Sequence, residues 1–147
     1  MNEIKFRIWD TVLKEWWTKG STLWQIFEDI QEDVLFKEII WKILEDRLVF
    51  QQYTGLQDEN GKEIYEGDIV KYYNELYIVR FGDNRSEESK WGNNIIKFVG
   101  FYLAPIREDS WQYYYTIYSL IDNWNDIRGV VIGNIYENPE LLEAKNE

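Results

Sequence analysis

Twenty-seven carboxylate side chains and no histidine or cysteine define the chemistry open to this sequence. Without imidazole there is no Ser-His-Asp or Cys-His arrangement, and without thiol there is no disulfide, thiolate nucleophile or thiolate metal site. What remains is acid-base work by carboxylate, lysine or tyrosine, and metal binding through oxygen. Asp58-Glu59-Asn60-Gly61-Lys62 opens with the Asp-x-Asn spacing of a calcium loop. Continuing that template puts Lys62 at the fifth position, Glu63 where the sharp-turn glycine belongs and Ile69 where the bidentate Glu belongs. The segment therefore reads as a tight turn: Asn60-Gly61 supplies positive φ angles and the Asp58 carboxylate accepts backbone N–H groups. The densest acidic cluster, Glu28-Asp29 with Glu32-Asp33, lies at helical spacing opposite Ile26, Phe27 and Ile30, as a solvated face does. Glycosidase-like hydrolysis would need two carboxyls about 5–9 Å apart, a spacing that linear sequence does not display. The expectation is a protein with no catalytic residues, no cofactor and no metal, with a carboxylate-based hydrolase as the enzymatic alternative.

Charge narrows the partners. Sixteen Lys and Arg against 27 Asp and Glu leave −11, and Lys71, Arg80, Arg85, Lys90 and Lys97 stand singly. Such a surface repels phosphate backbones, so no direct nucleic-acid binding is expected. The same charge permits a different alternative, an acidic DNA mimic that blocks a host nucleic-acid enzyme. No apolar run approaches the roughly 20 residues that span a bilayer, and Met1 to Arg7 lacks the apolar core of a signal peptide. A cytoplasmic location without membrane contact is expected.

Aromatic residues make the candidate docking surface. Strand alternation through Trp111, Tyr113, Tyr114, Tyr115 and Tyr118, with Trp124 beyond a turn, puts rings on both faces. One face suits a core. The other needs cover from the N-terminal part, a second subunit or a stacking ligand. The polar loop 82–94 would form its mobile rim.

These residues must be positioned by short strands. Ile4 to Trp9 alternates as a strand and Glu15 to Thr18 returns, after a turn at Asp10-Thr11. Leu23, Ile26, Phe27, Ile30 and Val34 follow helical spacing behind a Ser21 or Thr22 cap. Phe36 to Leu44 fits helix and strand alike. Strands are then expected at Arg47 to Tyr53, Asp68 to Tyr73, Leu76 to Phe81, Ile95 to Leu103, Gln112 to Leu120 and Val130 to Tyr136, with Asn74-Glu75 as a hairpin connection. Gly67 permits a reversal whose amides Asp68 can bond, before Ile69-Val70 enter the core. Asn138 as cap and Pro139 at the first helical position start a short helix.

Three segments in order carry a resemblance: Glu3 to Asp10 (EIKFRIWD), Gln52 to Val70 (QYTGLQDENGKEIYEGDIV) and Val131 to Leu142 (VIGNIYENPELL). Together they resemble the YopX family of small proteins encoded by bacteriophages, prophages and mobile elements, mainly in Gram-positive bacteria. Thr11 to Phe50 and Gly82 to Arg128 carry none of the family wording. The resemblance implies a β-rich fold, a phage or prophage origin and self-association, and brings no activity. The residues it marks read as architecture: Gly55, Gly61, Gly67 and Gly133 for backbone freedom, Tyr53, Tyr65 and Tyr136 for packing with a polar tip, Pro139 for helix initiation.

The combined expectation is one domain, 1–147, mainly β (β-rich α+β). Residues 54–137 form a small SH3-like or partly open β-barrel, 1–53 a β/α part packed on it, and 138–147 a short C-terminal helix and tail. Its function is expected to be that of a non-enzymatic interaction protein, homo-oligomeric and binding a host or phage protein.

Overall fold

The computed structural model describes residues 4–30, 41–43, 45–84, 98–107, 115–116, 121–123 and 126–143. In chain order these form β1 (Lys5–Asp10), β2 (Glu15–Thr22), α1 (Leu23–Ile30), β3 (Leu48–Gln57), β4 (Glu63–Tyr65), β5 (Asp68–Tyr72), β6 (Glu75–Asn84), β7 (Phe98–Pro105), β8 (Tyr115–Thr116), β9 (Ile121–Asn123), β10 (Asp126–Ile127) and β11 (Val130–Asn134), followed by a 3-10 turn at Pro139–Leu142. The fold is mainly β, as the sequence indicates.

The strands make two sheets. The first is six-stranded, in the order β2-β1-β3-β10-β9 with β4 paired to β3. The second is five-stranded, β11-β5-β6-β7-β8, and antiparallel throughout. Neither closes on itself, so the C-terminal strands form an open sheet and not a closed SH3-like barrel. The main core joins the two sheets: Leu56 and Ile64 of β3 and β4 meet Val70, Tyr77, Val79, Phe101, Leu103 and Val131. Each such aliphatic side chain removed from water stabilises the fold by about 1.5–3 kcal/mol. A smaller cluster of Ile8, Leu48 and Ile26, edged by Phe6, fastens α1 to β1 and β3.

Local chemistry explains most element boundaries. α1 begins in a capping box, in which Thr22 Oγ1 accepts from Gln25 N at 3.3 Å and Gln25 Oε1 accepts from Thr22 N at 2.9 Å. The Ser21/Thr22 cap is thus resolved in favour of Thr22, while β2 runs on to that residue through two register shifts against β1. The β5–β6 connection is Tyr73-Asn74, one residue earlier than expected, and both residues have positive φ (46° and 64°), as a two-residue hairpin loop requires. β6 continues to Asn84, so the stretch 82–94 starts as strand. Residues 41–43 are helical, and 31–40, where the helix and the ambiguous segment were expected to continue, lie outside the described residues.

At the C-terminus, Pro139 does open a helical turn, but it is a 3-10 turn of four residues and Asn138 makes no side-chain capping bond. Asn138 Oδ1 instead accepts from Asn134 N at 3.3 Å, which ties the tail back to β11. Gly133, expected to supply backbone freedom, is not at positive φ. Its role is close approach, because a Cβ there would run into the Asn138 side chain.

Candidate functional site

Three buried aspartates organise the polar interior. Asp68, 1% exposed, heads β5 after the Glu66-Gly67 reversal. Its Oδ1 accepts from Arg7 Nη2 at 2.6 Å and its Oδ2 from Tyr65 N at 2.9 Å. Arg7 reaches it from β1, donates Nε to Gln51 Oε1 at 2.7 Å, and has its guanidinium over the Trp16 ring at 4.6 Å and the Tyr65 ring at 4.9 Å. The fold therefore encloses its own cation in an aromatic slot. Burial pushes the Asp68 carboxyl up, against the pull of Arg7 and the Tyr65 amide. Gly67 (φ +82°) has no room for a side chain, since a Cβ would strike Gln51 Nε2.

Around this pair, Lys5 Nζ donates to Glu63 Oε1 at 2.9 Å and Tyr65 Oη donates to Glu63 Oε2 at 2.8 Å. Burial opposes the Glu63 charge, yet these two bonds hold its carboxyl below the usual range. Burial also raises Glu66 and Tyr136, the latter helped by the Glu66 charge. Trp9 packs edge-on to Trp16 at 4.8 Å and stacks with Tyr136 at 5.8 Å.

Asp58, also 1% exposed, holds the β3–β4 loop. Oδ1 accepts from Asn60 N and Lys62 N, each at 2.9 Å, and Oδ2 from Val131 N at 2.9 Å. The expected Asx turn is present, with Gly61 alone, not Asn60, at positive φ. Gly61 N closes it onto Asp58 O at 2.9 Å. Both carboxylate oxygens are taken by amides, so the resemblance to a calcium loop ends there. Among the described residues no group of three or more acids is placed to hold a metal ion.

Asp10 holds the β1–β2 turn. Oδ1 accepts from Val12 N and Leu13 N, each at 2.9 Å, and the Arg47 guanidinium grips both oxygens at 2.8–2.9 Å. Thr11 N adds a bond to Arg47 O at 2.9 Å. The Arg47 hydrogen bonds lead in bringing the Asp10 carboxyl down to about 2, with burial opposing and the Leu13 and Val12 amides assisting. A folded value below the ordinary 3.8 means that Asp10 stabilises the fold above about pH 4 and loses that contribution as pH falls through about 2. Asp10→Asn is expected to lower the Tm at neutral pH and to flatten its acid limb between about pH 4 and pH 2. Thermal melts across that range check it; an unchanged acid limb refutes the assignment.

This braced turn displays two aliphatic side chains, Val12 at 65% and Leu13 at 57% exposure. Trp24, Trp41 and Tyr73 are also largely exposed. A cavity of about 150 Å3 opens between the β5–β6 hairpin, the end of β7 and the 3-10 turn, lined by Asn74, Glu75, Leu76, Ile106, Arg107 and Leu141.

Of the turn residues singled out in the sequence, Gly61 and Gly67 (φ +82°) stand at turns with left-handed backbone, Gly55 (φ +84°) lies within β3 and Gly133 within β11, and Asp58 and Asp68 accept from the amides of Asn60, Lys62 and Tyr65. Of the aromatic surface, Trp111, Tyr113, Tyr114, Tyr118 and Trp124 lie outside the described residues; Tyr115 pairs with Leu103 in β8 at the sheet edge. Sequence reasoning missed Arg7, Gln51 and the Asp10–Arg47 pair. A charged residue within an alternating apolar strand, as Arg7 is, was the available signal.

A family model described as YopX protein matches residues 5–143. No curated protein matches the chain. Among solved structures, the crystal structure of protein EF1440 from Enterococcus faecalis is similar at 22% identity, over 97% of this chain and 99% of that one, with a TM-score of 0.48. No helix among the described residues is long and apolar enough to cross a membrane.

Proposed function

The chain belongs to the YopX family, and on that premise we propose that it is a non-enzymatic interaction protein of a phage or prophage. It acts in the host cytoplasm, binding its own copies and a host or phage protein. The observation that supports this reading is the division of labour between side chains. The buried carboxylates Asp10, Asp58 and Asp68 are occupied by amides and arginines that hold turns. Large apolar groups, Val12, Leu13, Trp24, Trp41 and Tyr73, face outward instead. A carboxylate engaged by its own backbone is not available to move protons for a substrate, whereas exposed aliphatic and aromatic groups are the means by which proteins recognise one another.

The test is light scattering of the full chain together with capture of host proteins on the immobilised chain. Association above the monomer mass and retention of a defined host protein are expected. A strict monomer that retains nothing overturns the reading. The net charge of −11 supports a second reading, the DNA mimic, which a competition experiment separates: a mimic is displaced from its captured enzyme by duplex DNA, and a protein docking through apolar groups is not.

A further inference from the structure

We infer that Asn60 is a site of spontaneous deamidation and that Asp58 is its guard, so that the chain ages at this residue at the rate at which the β3–β4 loop opens.

Asn60-Gly61 is the one Asn-Gly step in the sequence, and the fold leaves it accessible. Both residues are exposed at the tip of the loop. Among the described residues none bonds the Asn60 side-chain amide. Gly61 has no side chain, and a Cβ built there would meet nothing within 4 Å, so no neighbour bars the Asn60 carboxamide from Gly61 N. The reaction needs only water. Gly61 N, its proton passed to solvent, bonds to Asn60 Cγ; the Cγ–Nδ2 bond breaks and ammonia leaves, closing a cyclic imide. Water then opens the ring. Addition at Cγ gives aspartate, and addition at the main-chain carbonyl carbon gives isoaspartate, in which the chain runs through Cβ and Cγ. Either product carries a carboxylate where an amide stood, adding a negative charge to a chain already at −11.

The closed loop holds the nucleophile back. Gly61 N donates to Asp58 O at 2.9 Å, and the amides on either side of it, Asn60 N and Lys62 N, both donate to Asp58 Oδ1 at 2.9 Å. Successive amides are thus turned onto one residue, and Gly61 N can lose its proton and swing toward Asn60 Cγ only after these bonds break. Asp58 is itself 1% exposed and fixed from its other oxygen by Val131 N, so it does not yield with the loop tip. Where opening and closing are fast against the chemistry, the rate follows the open fraction. Isoaspartate, once formed, lengthens the main chain by one carbon between Asn60 N and Lys62 N, and the two amides no longer fit the same carboxylate oxygen. Deamidation thereby loosens the loop that restrained it.

The experiment is peptide mapping by mass spectrometry of the full chain during prolonged incubation at neutral pH, with isoaspartate read by enzymatic methylation. Deamidation is expected at Asn60 and not at Asn74, which is also exposed at a turn but precedes Glu75. The folded wild type should react about tenfold or more slowly than the same chain unfolded in urea. Asp58→Ala, checked as folded by its far-ultraviolet spectrum, should remove most of that protection. Asp58→Asn should keep it, because the amide oxygen still accepts from Asn60 N and Lys62 N. Both variants lose the bond to Val131 N, so equal rates in the two would show that Asp58 does not restrain the loop through these amides and would overturn its role. A folded wild type that reacts as fast as in urea overturns that role as well. An Asn60 that stays intact in the unfolded chain overturns the site itself.

Discussion

Arg7→Ala is expected to reduce folding stability by about 3–5 kcal/mol, a large share of the roughly 5–15 kcal/mol that holds a domain of this kind together. The size of the effect comes from what the substitution leaves behind. Asp68 is 1% exposed and Arg7 11%, so the variant keeps a carboxylate in the interior with one amide donor, Tyr65 N, in place of two partners. Gln51 Oε1, itself on a side chain only 2% exposed, loses the Arg7 Nε donor, and the rings of Trp16 and Tyr65 lose the cation between them. The damage should respond to acid in a definite sense. Burial already raises the Asp68 carboxyl, and removing Arg7 raises it further, so the folded variant takes up a proton where the unfolded chain does not. Its deficit against the wild type is therefore greatest at neutral pH and shrinks as pH falls toward about 4. Adding Asp68→Asn to Arg7→Met should recover most of the loss, because the amide oxygen still accepts from Tyr65 N and methionine fills the slot without a charge. Urea titrations of the single and double variants at neutral and mildly acidic pH measure this. A deficit below about 1 kcal/mol at neutral pH would mean that the pair is solvated and that the fold is not organised around it.

What the sequence disclosed and what it withheld divide along chain separation. The Gly67-Asp68 reversal and the Asp58 to Gly61 loop were legible because donors and acceptors sit within four residues of each other. Arg7 was not, because its partners lie 44, 59 and 61 residues away, and nothing in an alternating strand says which distant groups will meet its charged face. The Asp10–Arg47 pair, 37 residues apart, stayed hidden for the same reason. The course of the β1–β2 turn was hidden with it: the sequence suggests a turn at Asp10-Thr11, whereas the turn runs on through Val12 and Leu13, residues whose aliphatic character argues locally for burial. β3 was expected to stop at Tyr53 but runs to Gln57, because Thr54 Oγ1 donates to Ile64 O at 2.9 Å and carries the pairing across a bulge that backbone propensity alone would treat as a break.

Asp58→Ala is expected to cost about 2–4 kcal/mol, with the effect concentrated at a site 73 residues away in sequence. Two of the three amides it serves, those of Asn60 and Lys62, belong to an exposed loop, and water can replace the carboxylate there at little cost. The third, Val131 N, belongs to β11 at the edge of the second sheet, on a residue 6% exposed and packed in the main core. Left without an acceptor, that donor carries the desolvation penalty of a buried N–H. Asp58→Asn separates these contributions. The amide oxygen can still hold the loop, but the nitrogen that takes the place of Oδ2 presents hydrogens to Val131 N. The asparagine variant should therefore keep the loop and still lose about 1–2 kcal/mol. Amide hydrogen exchange resolved to residues supplies the readout, with faster exchange at Val131 in both variants and faster exchange at Lys62 in the alanine variant alone. Equal acceleration at both amides in the asparagine variant would show that the loop and β11 open as one unit, and that Asp58 is not the tie between them.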